Sequence, residues 1–283
     1  MRFLRNKEGT IVAVIVILIG IAVGYFAVST LAKYYWDAAA NNNAYKKVTD
    51  EFYNDDENKE TPTVPADPNA PLSDDTKQQL LDKYNKMHNI NKDYVFWLSM
   101  EGINLEYPVV SSSNDRMGEY TYLTHDFYKK KNKNGCLFMS ENCTTDSDNI
   151  IIYGHNMKSG EMFGKLNRYE KASFVKEHPL ILAYLKDEIR YYEIISVFTC
   201  PNAKRPFNWE SYTYMPGAGQ RVRFGYKVKN SSMIATKYDP TIHMDKFLTL
   251  VTCEYTHEDG RLVVIARQLG TPKIEDYQKQ GVE

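Results

Sequence analysis

Cys253 closes the apolar run FLTLVTC and is followed by the polar stretch EYTHEDG before a second apolar run opens at Arg261. A thiol so placed stands at a strand end facing a loop, whereas a structural cysteine usually has apolar sequence on both sides. With an ordinary pKa of about 8.5, a thiol is only slightly ionised at neutral pH, so acyl chemistry needs a partner that activates it and later protonates a leaving amine. His155 occupies the matching position, at the end of NIIIYGH and before Asn156-Met157-Lys158-Ser159-Gly160. Arg261 begins the next strand after a turn containing Asp259-Gly260. Hairpin pairing would bring its guanidinium alongside the thiol, where a fixed cation stabilises an oxyanion. Arg267 lies six residues further on. Strand side chains alternate, so it shares the face of Arg261, and parity does not separate the two.

The other reactive residue types carry less. Cys253-x3-His257 has metal-ligand spacing, but no second Cys/His pair completes a four-ligand set, so no metal and no cofactor is invoked. Cys136 and Cys143 are close enough in sequence to pair outside a cell, yet GCLFMS around Cys136 reads equally well as core, and Cys200 has no assigned role. The Lys129-Lys130-Lys131 run with Lys133 is read as a solvated loop.

The elements that must position these residues read as strands. Of 283 residues, 43% are hydrophobic, and 22 Tyr with 12 Phe favour aromatic-faced strands over a helical bundle. YVFWLSM, INLEYPVV, YTYLTH, GCLFMS, NIIIYGH, LILAYLK, RYYEIISVF, FLTLVTC and RLVVIARQL are short runs bounded by turn residues. Eight or nine strands predict a closed barrel or a sandwich. Helices are predicted after Ser73-Asp74-Asp75-Thr76 as far as about Asn91, within Gly160 to His178 through Met162, Phe163, Leu166, Tyr169 and Phe174, and over Gln220 to Ser231. Lys186-Asp187-Glu188 predicts a hairpin turn.

Ahead of this domain, Thr10 to Leu31 runs without a charge, enough at about 1.5 Å per residue to cross a ~30 Å hydrocarbon layer. The run is longer than the apolar part of a signal peptide. Arg2, Arg5 and Lys7 precede it and an acidic stretch follows, which predicts a single-pass anchor with residues 1–9 in the cytoplasm and the remainder outside the cell. Residues 32–75, with Asp50, Glu51, Asp55, Asp56, Glu57 and Glu60 and then TPTVPADPNAPL, have the composition of a solvated stalk. The organisation expected is tail 1–9, anchor 10–31, stalk 32–75, catalytic domain 76–272 with a helical extension over 76–92, and tail 273–283. Lys+Arg at 35 against Asp+Glu at 36 provides no cationic excess for nucleic acid. A mean hydropathy of −0.51 excludes a polytopic membrane protein.

TLVTC with RLVVIARQL, IIIYGHNM with MFGKL, and LEYPVV, YLTHDF and GCLFMS in that order resemble the signature segments of class B sortases from about Asp93 to Leu269. The resemblance implies an eight-stranded sortase β-barrel with an N-terminal helical extension and further helices in its connections. It implies a membrane-anchored cysteine transpeptidase of a Gram-positive bacterium. Such an enzyme cleaves a C-terminal sorting motif on secreted proteins through a Cys253 thioester and passes the acyl group to an amine of a peptidoglycan precursor or cross-bridge. His155 and Arg261 take the other catalytic roles, Glu254 and Thr252 adjoin the oxyanion, and Glu106, Val110 and Val251 contact substrate. Two positions depart from the class pattern: Tyr255 where Asp often follows the cysteine, and Glu106 where Asn often precedes Tyr-Pro-Val. A Cys-His amidase or peptidase using water as acceptor, and a non-enzymatic wall-binding β-domain, are the alternatives; acceptor dependence separates the first and Cys253→Ala the second.

Overall fold

The computed structural model describes residues 2–53, 62, 64–111, 121–132 and 134–275. It divides into two compact units, Met1–Asn43 and Ala44–Glu283. A long helix, α1, runs Arg2–Tyr53, and its Gly9–Lys33 portion is long and apolar enough to cross a membrane.

Within the second unit, eight strands close a barrel: β1 (Tyr94–Met100), β2 (Leu105–Ser111), β3 (Leu137–Met139), β4 (Asn149–Tyr153), β5 (Leu180–Tyr184), β6 (Ile189–Pro201), β7 (Phe247–Glu254) and β8 (Gly260–Gln268). Their order around the barrel is β1-β2-β3-β4-β7-β8-β6-β5. The β2–β3 and β4–β7 neighbours are parallel and the other pairs antiparallel. Alternation builds two cores. Leu105, Tyr107 and Val109 of β2 point into the barrel, while Val110 joins an outer cluster with Trp97, Phe138 and Tyr122. Helix α2 (Asp74–Ile90), capped by the Ser73 hydroxyl on the Thr76 N–H, places Leu80 and Met87 in that outer cluster.

Three expectations are corrected. Residues 32–75 are not a bare spacer. Helix α1 continues to Tyr53, and Tyr45, Val48 and Phe52 of its last turns are buried in the second unit. Spaced i, i+3 and i+7, they form one apolar stripe that the acidic composition hides. Phe52 stacks on Trp97 with ring centres 4.1 Å apart, and the buried Lys83 ammonium donates to the Phe52 carbonyl at 2.6 Å, satisfying an open helix end. The proline-rich part is also tied down: the Tyr191 hydroxyl donates to Pro65 O at 2.6 Å, and Val64 and Leu72 pack on the outer cluster. The remaining stalk residues 54–61 and 63, and 276–283 of the expected tail, lie outside the described residues.

The described part of YTYLTH, Thr121–His125, is not a strand. Thr121–Leu123 form a 3₁₀ turn, with Thr124 N–H bonded back to Thr121 O at 3.1 Å. The helix expected between Gly160 and His178 reduces to a 3₁₀ turn, Leu166–Glu170, and a short helix α3, Ala172–Glu177. Gly160 and Met162, at φ of 91° and 50°, turn the chain off any helical path before it. Helix α4 (Ala218–Ser231) begins two residues earlier than expected.

Candidate active site

Two ladders set the site. Parallel pairing of β4 with β7 ends at Tyr153↔Val251, with the Gly154 N–H donating to Val251 O at 3.2 Å, so His155, just past β4, and Cys253, still within β7, stand two residues on at one level. Antiparallel pairing of β7 with β8 puts Arg261 directly opposite Cys253. The three residues expected from the sequence thus come to one rim of the barrel, each partly exposed. Gly154 is required by close packing: a Cβ there would lie 2.3 Å from the Leu137 side chain and 2.7 Å from that of Phe163.

The His155 ring is oriented by a backbone carbonyl. Its Nε2 lies 3.0 Å from Leu123 O, and since a carbonyl only accepts, Nε2 carries a proton in this arrangement. The neighbouring Asn156 donates its Nδ2 to the Cys253 carbonyl at 2.7 Å. The buried Thr252 donates to Gly154 O at 2.8 Å and ties the two strands just below the thiol. Val251 is a barrel-core residue.

Arg261 spends one nitrogen on the turn before it. Its Nη1 donates to Asp259 Oδ1 at 2.6 Å and to the carbonyls of Asp259 and Gly260 at 3.1 and 2.9 Å. Asn202 Nδ2 holds the other Asp259 oxygen at 2.9 Å. Across β8, Cys200 pairs with Arg261 from the far side; burial pushes that thiol up, against the lowering pull of Arg205 and Arg261. Glu254 follows the nucleophile position. Partial burial works to raise its carboxyl, but hydrogen bonds from Thr256 and His257 prevail and bring it down to about 2. His257 is thereby occupied as the partner of Glu254, Nδ1 to Oε2 at 2.8 Å. Among the described residues no group of three or more His, Cys, Asp or Glu is arranged to hold a metal ion.

The other expected substrate positions lie elsewhere. Glu106 is on the outer face of β2, where it accepts from Tyr53 Oη at 2.6 Å, Trp97 Nε1 at 2.7 Å and the Ser99 hydroxyl. It anchors the end of α1. Val110 is buried in the outer cluster. Arg267 is tied to Glu193 at 2.8 Å and to Asp245 at 3.7 Å at the opposite end of β8. Cys136, Cys143, Cys200 and Cys253 form no disulfide with one another. Sequence reasoning missed the parts played by Leu123, Asn156 and Asp259. The first and last were beyond its reach, but Asn156, next to the histidine, is a polar residue at a strand end and was a recoverable signal.

Residues 98–269 match the sortase domain family. Sortase B of Listeria monocytogenes is 28% identical over 233 residues, covering 77% of this chain and 87% of that protein. Sortase B of Staphylococcus aureus is 26% identical over 265 residues, covering 91% and 95%. The crystal structure of a mutant form of Clostridium perfringens sortase B superposes with a TM-score of 0.60 at 26% identity, over 70% of this chain and 91% of that one. A barrel closed in this order, a thiol and an imidazole delivered to one rim and these three likenesses agree: the chain belongs to the sortase family as a class B member, a cysteine transpeptidase that anchors surface proteins.

Proposed function

We propose that Cys253 is the nucleophile, His155 the acid–base and Arg261, with the Glu254 N–H, the oxyanion support. The observation that carries this reading is the register, which puts His155 and Arg261 on either side of Cys253 at one rim. The Cys253 sulfur attacks the scissile carbonyl of a sorting motif. Charge gathers on the carbonyl oxygen opposite the cation, and His155 gives a proton to the departing amine as the C–N bond breaks. An incoming peptidoglycan amine then loses a proton to His155, attacks the thioester and expels the thiolate.

The α1 segment Gly9–Lys33 is the membrane anchor in this reading, with Arg2, Arg5 and Lys7 on the cytoplasmic side. Anchoring holds the enzyme where secreted substrate and lipid-linked acceptor meet, which raises their effective concentration. Intact mass of the full chain in detergent micelles, after incubation with a panel of sorting-motif peptides, tests the chemistry. A thioester-sized adduct is expected on the wild type, released by an added amine and absent from Cys253→Ala. An adduct on Cys253→Ala, or none on a folded wild type with any peptide, overturns the assignment. Surface labelling of intact cells that reaches an added tag at residue 5 would overturn the orientation.

A further inference from the structure

The proton on His155 is placed by a main-chain oxygen, and that oxygen is itself held. With Nε2 donating to Leu123 O at 3.0 Å, the nitrogen left to exchange a proton with a substrate is Nδ1. An imidazole that rotated or tautomerised would present the wrong nitrogen, so the acid–base step depends on the fixity of one carbonyl. Leu123 closes the 3₁₀ turn Thr121–Leu123, outside the ladders of the barrel.

A second segment backs this turn. The Cys136 N–H donates to Tyr122 O at 2.8 Å and the Asn132 N–H to Thr124 O at 2.7 Å, so the carbonyls on both sides of Leu123 are taken. Between those two bonds Gly135, at φ of 64°, sets its bare Cα against the turn: a Cβ there would overlap Tyr122 O and stand 2.9 Å from Leu123 O. Gly135 is held in turn by α1. The buried Tyr45 hydroxyl donates to the Gly135 carbonyl, and the Tyr45 ring meets Tyr107 of β2 edge-on with centres 4.7 Å apart. Direct contacts therefore run from Tyr45 through Gly135 and Leu123 to His155.

We infer that Tyr45 is a positioning residue for the acid–base step: by fastening Gly135 it keeps the Leu123 carbonyl where it fixes the tautomer and rotation of the His155 ring. The inference rests on the reading of His155 as the acid–base. It gives the helix that precedes the barrel a part in the chemistry.

Tyr45→Phe keeps the ring and removes only the hydroxyl, leaving the buried Gly135 carbonyl without this donor. Ring-nitrogen NMR of the full chain in detergent, carrying isotope-labelled histidine and held at alkaline pH so that imidazole is neutral, reads the tautomer directly. The wild type is expected to show one tautomer at His155, with the proton on Nε2 and the signal assigned by its loss in His155→Gln. Tyr45→Phe should show the two tautomers mixed. Its kcat for acylation by a sorting-motif peptide should fall about two- to tenfold, the size of one net hydrogen bond, with KM unchanged. Gly135→Ala, which drives a side chain into the turn, should act the same way and more strongly, up to about 100-fold for a displacement of about 1 Å. Tyr53→Phe controls for stability alone. It removes the 2.6 Å hydrogen bond to Glu106 from the same helix and should lower the melting temperature while leaving the His155 tautomer and kcat at wild-type values. A single tautomer and normal kcat in Tyr45→Phe overturn the inference whatever Gly135→Ala does. An equal loss in Tyr53→Phe overturns it too, by tracing the effect to stability. Normal turnover by His155→Ala would instead remove the underlying reading, and the ring spectra report the link to Tyr45 independently of it.

Discussion

The two ends of β8 each carry an arginine on the same face, and the two guanidinium groups are equally exposed, Arg261 at 22% and Arg267 at 21% of the side chain. Their partners differ. Arg261 meets Asp259, a carboxylate 60% exposed in a turn, whereas Arg267 meets Asp245, 2% exposed, together with Glu193. Burial works to raise the Asp245 carboxyl, to about 6, although Arg267 and the Tyr238 hydroxyl pull it down. Six residues at about 3.3 Å each separate the two arginines by roughly 20 Å, so Arg261 lies opposite the thiol and Arg267 does not. One arginine remains available to a substrate at a wet rim; the other neutralises a buried charge. What decides the role of a strand arginine here is the burial of its carboxylate, which residue parity does not report.

The largest effect that breaks the pair apart is catalytic. Arg261→Ala should lower kcat for peptide acylation by about 10²- to 10³-fold with little change in melting temperature, because the surface pair it removes holds little stability. Arg267→Ala should do the reverse. It leaves Asp245 buried without its main cation, and denaturant unfolding should show a loss of about 3 kcal/mol while turnover per folded molecule stays normal. Lost turnover in folded Arg267→Ala, together with normal turnover in Arg261→Ala, would exchange the two assignments.

The rim was legible because its information is local. Cys253, His155 and Arg261 each sit where an apolar run meets polar sequence, and strand pairing alone aligns them. The covering of the barrel wall was not legible, because it depends on partners far apart in sequence. Glu106 looked like a substrate contact from its motif, yet its oxygens are taken by Tyr53, Trp97 and Ser99, the first of these 53 positions away. Tyr45, Val48 and Phe52 lie in a segment whose charges read as solvated; their apolar stripe becomes visible only with the surface that receives it. The Leu123 carbonyl that orients His155 belongs to a stretch whose alternation mimics a strand, and a main-chain oxygen has no residue signature at all.

The buried end should also respond to pH in a direction set by Asp245. Its carboxyl is raised in the folded protein, so between about pH 4 and pH 6 the native state holds a proton that the unfolded chain releases. Its contribution to stability is therefore fully present below the unfolded pKa and is lost as pH rises through about 6. Asp245→Asn, which keeps the shape without the titration, should flatten this part of the melting-temperature profile. A profile that keeps its full slope in Asp245→Asn would show that the Arg267 pair outweighs burial and holds the carboxylate ionised throughout.

The smallest effect tests the exposed end. Asp259 sits at φ 47°, a left-handed position that Asn also adopts readily, so Asp259→Asn keeps the turn conformation and removes the charge beside Arg261, together with one of the two acceptors that meet Arg261 and Asn202. The Asn202 amide and then Arg261 hold the Asp259 carboxyl below its usual range, so whatever stability the carboxylate lends is present above the unfolded pKa and is lost as pH falls through the lowered one. The pair stands in solvent, so its attraction is weak and screened, and Asp259→Asn should change kcat/KM by less than about threefold at low salt. Curves of kcat/KM against sodium chloride for the wild type and Asp259→Asn should merge as the Debye length shrinks to about 3 Å near 1 M. If the gap persists at that concentration, Asp259 fixes Arg261 by geometry rather than by charge, and the two ends of β8 are held by the same kind of contact after all.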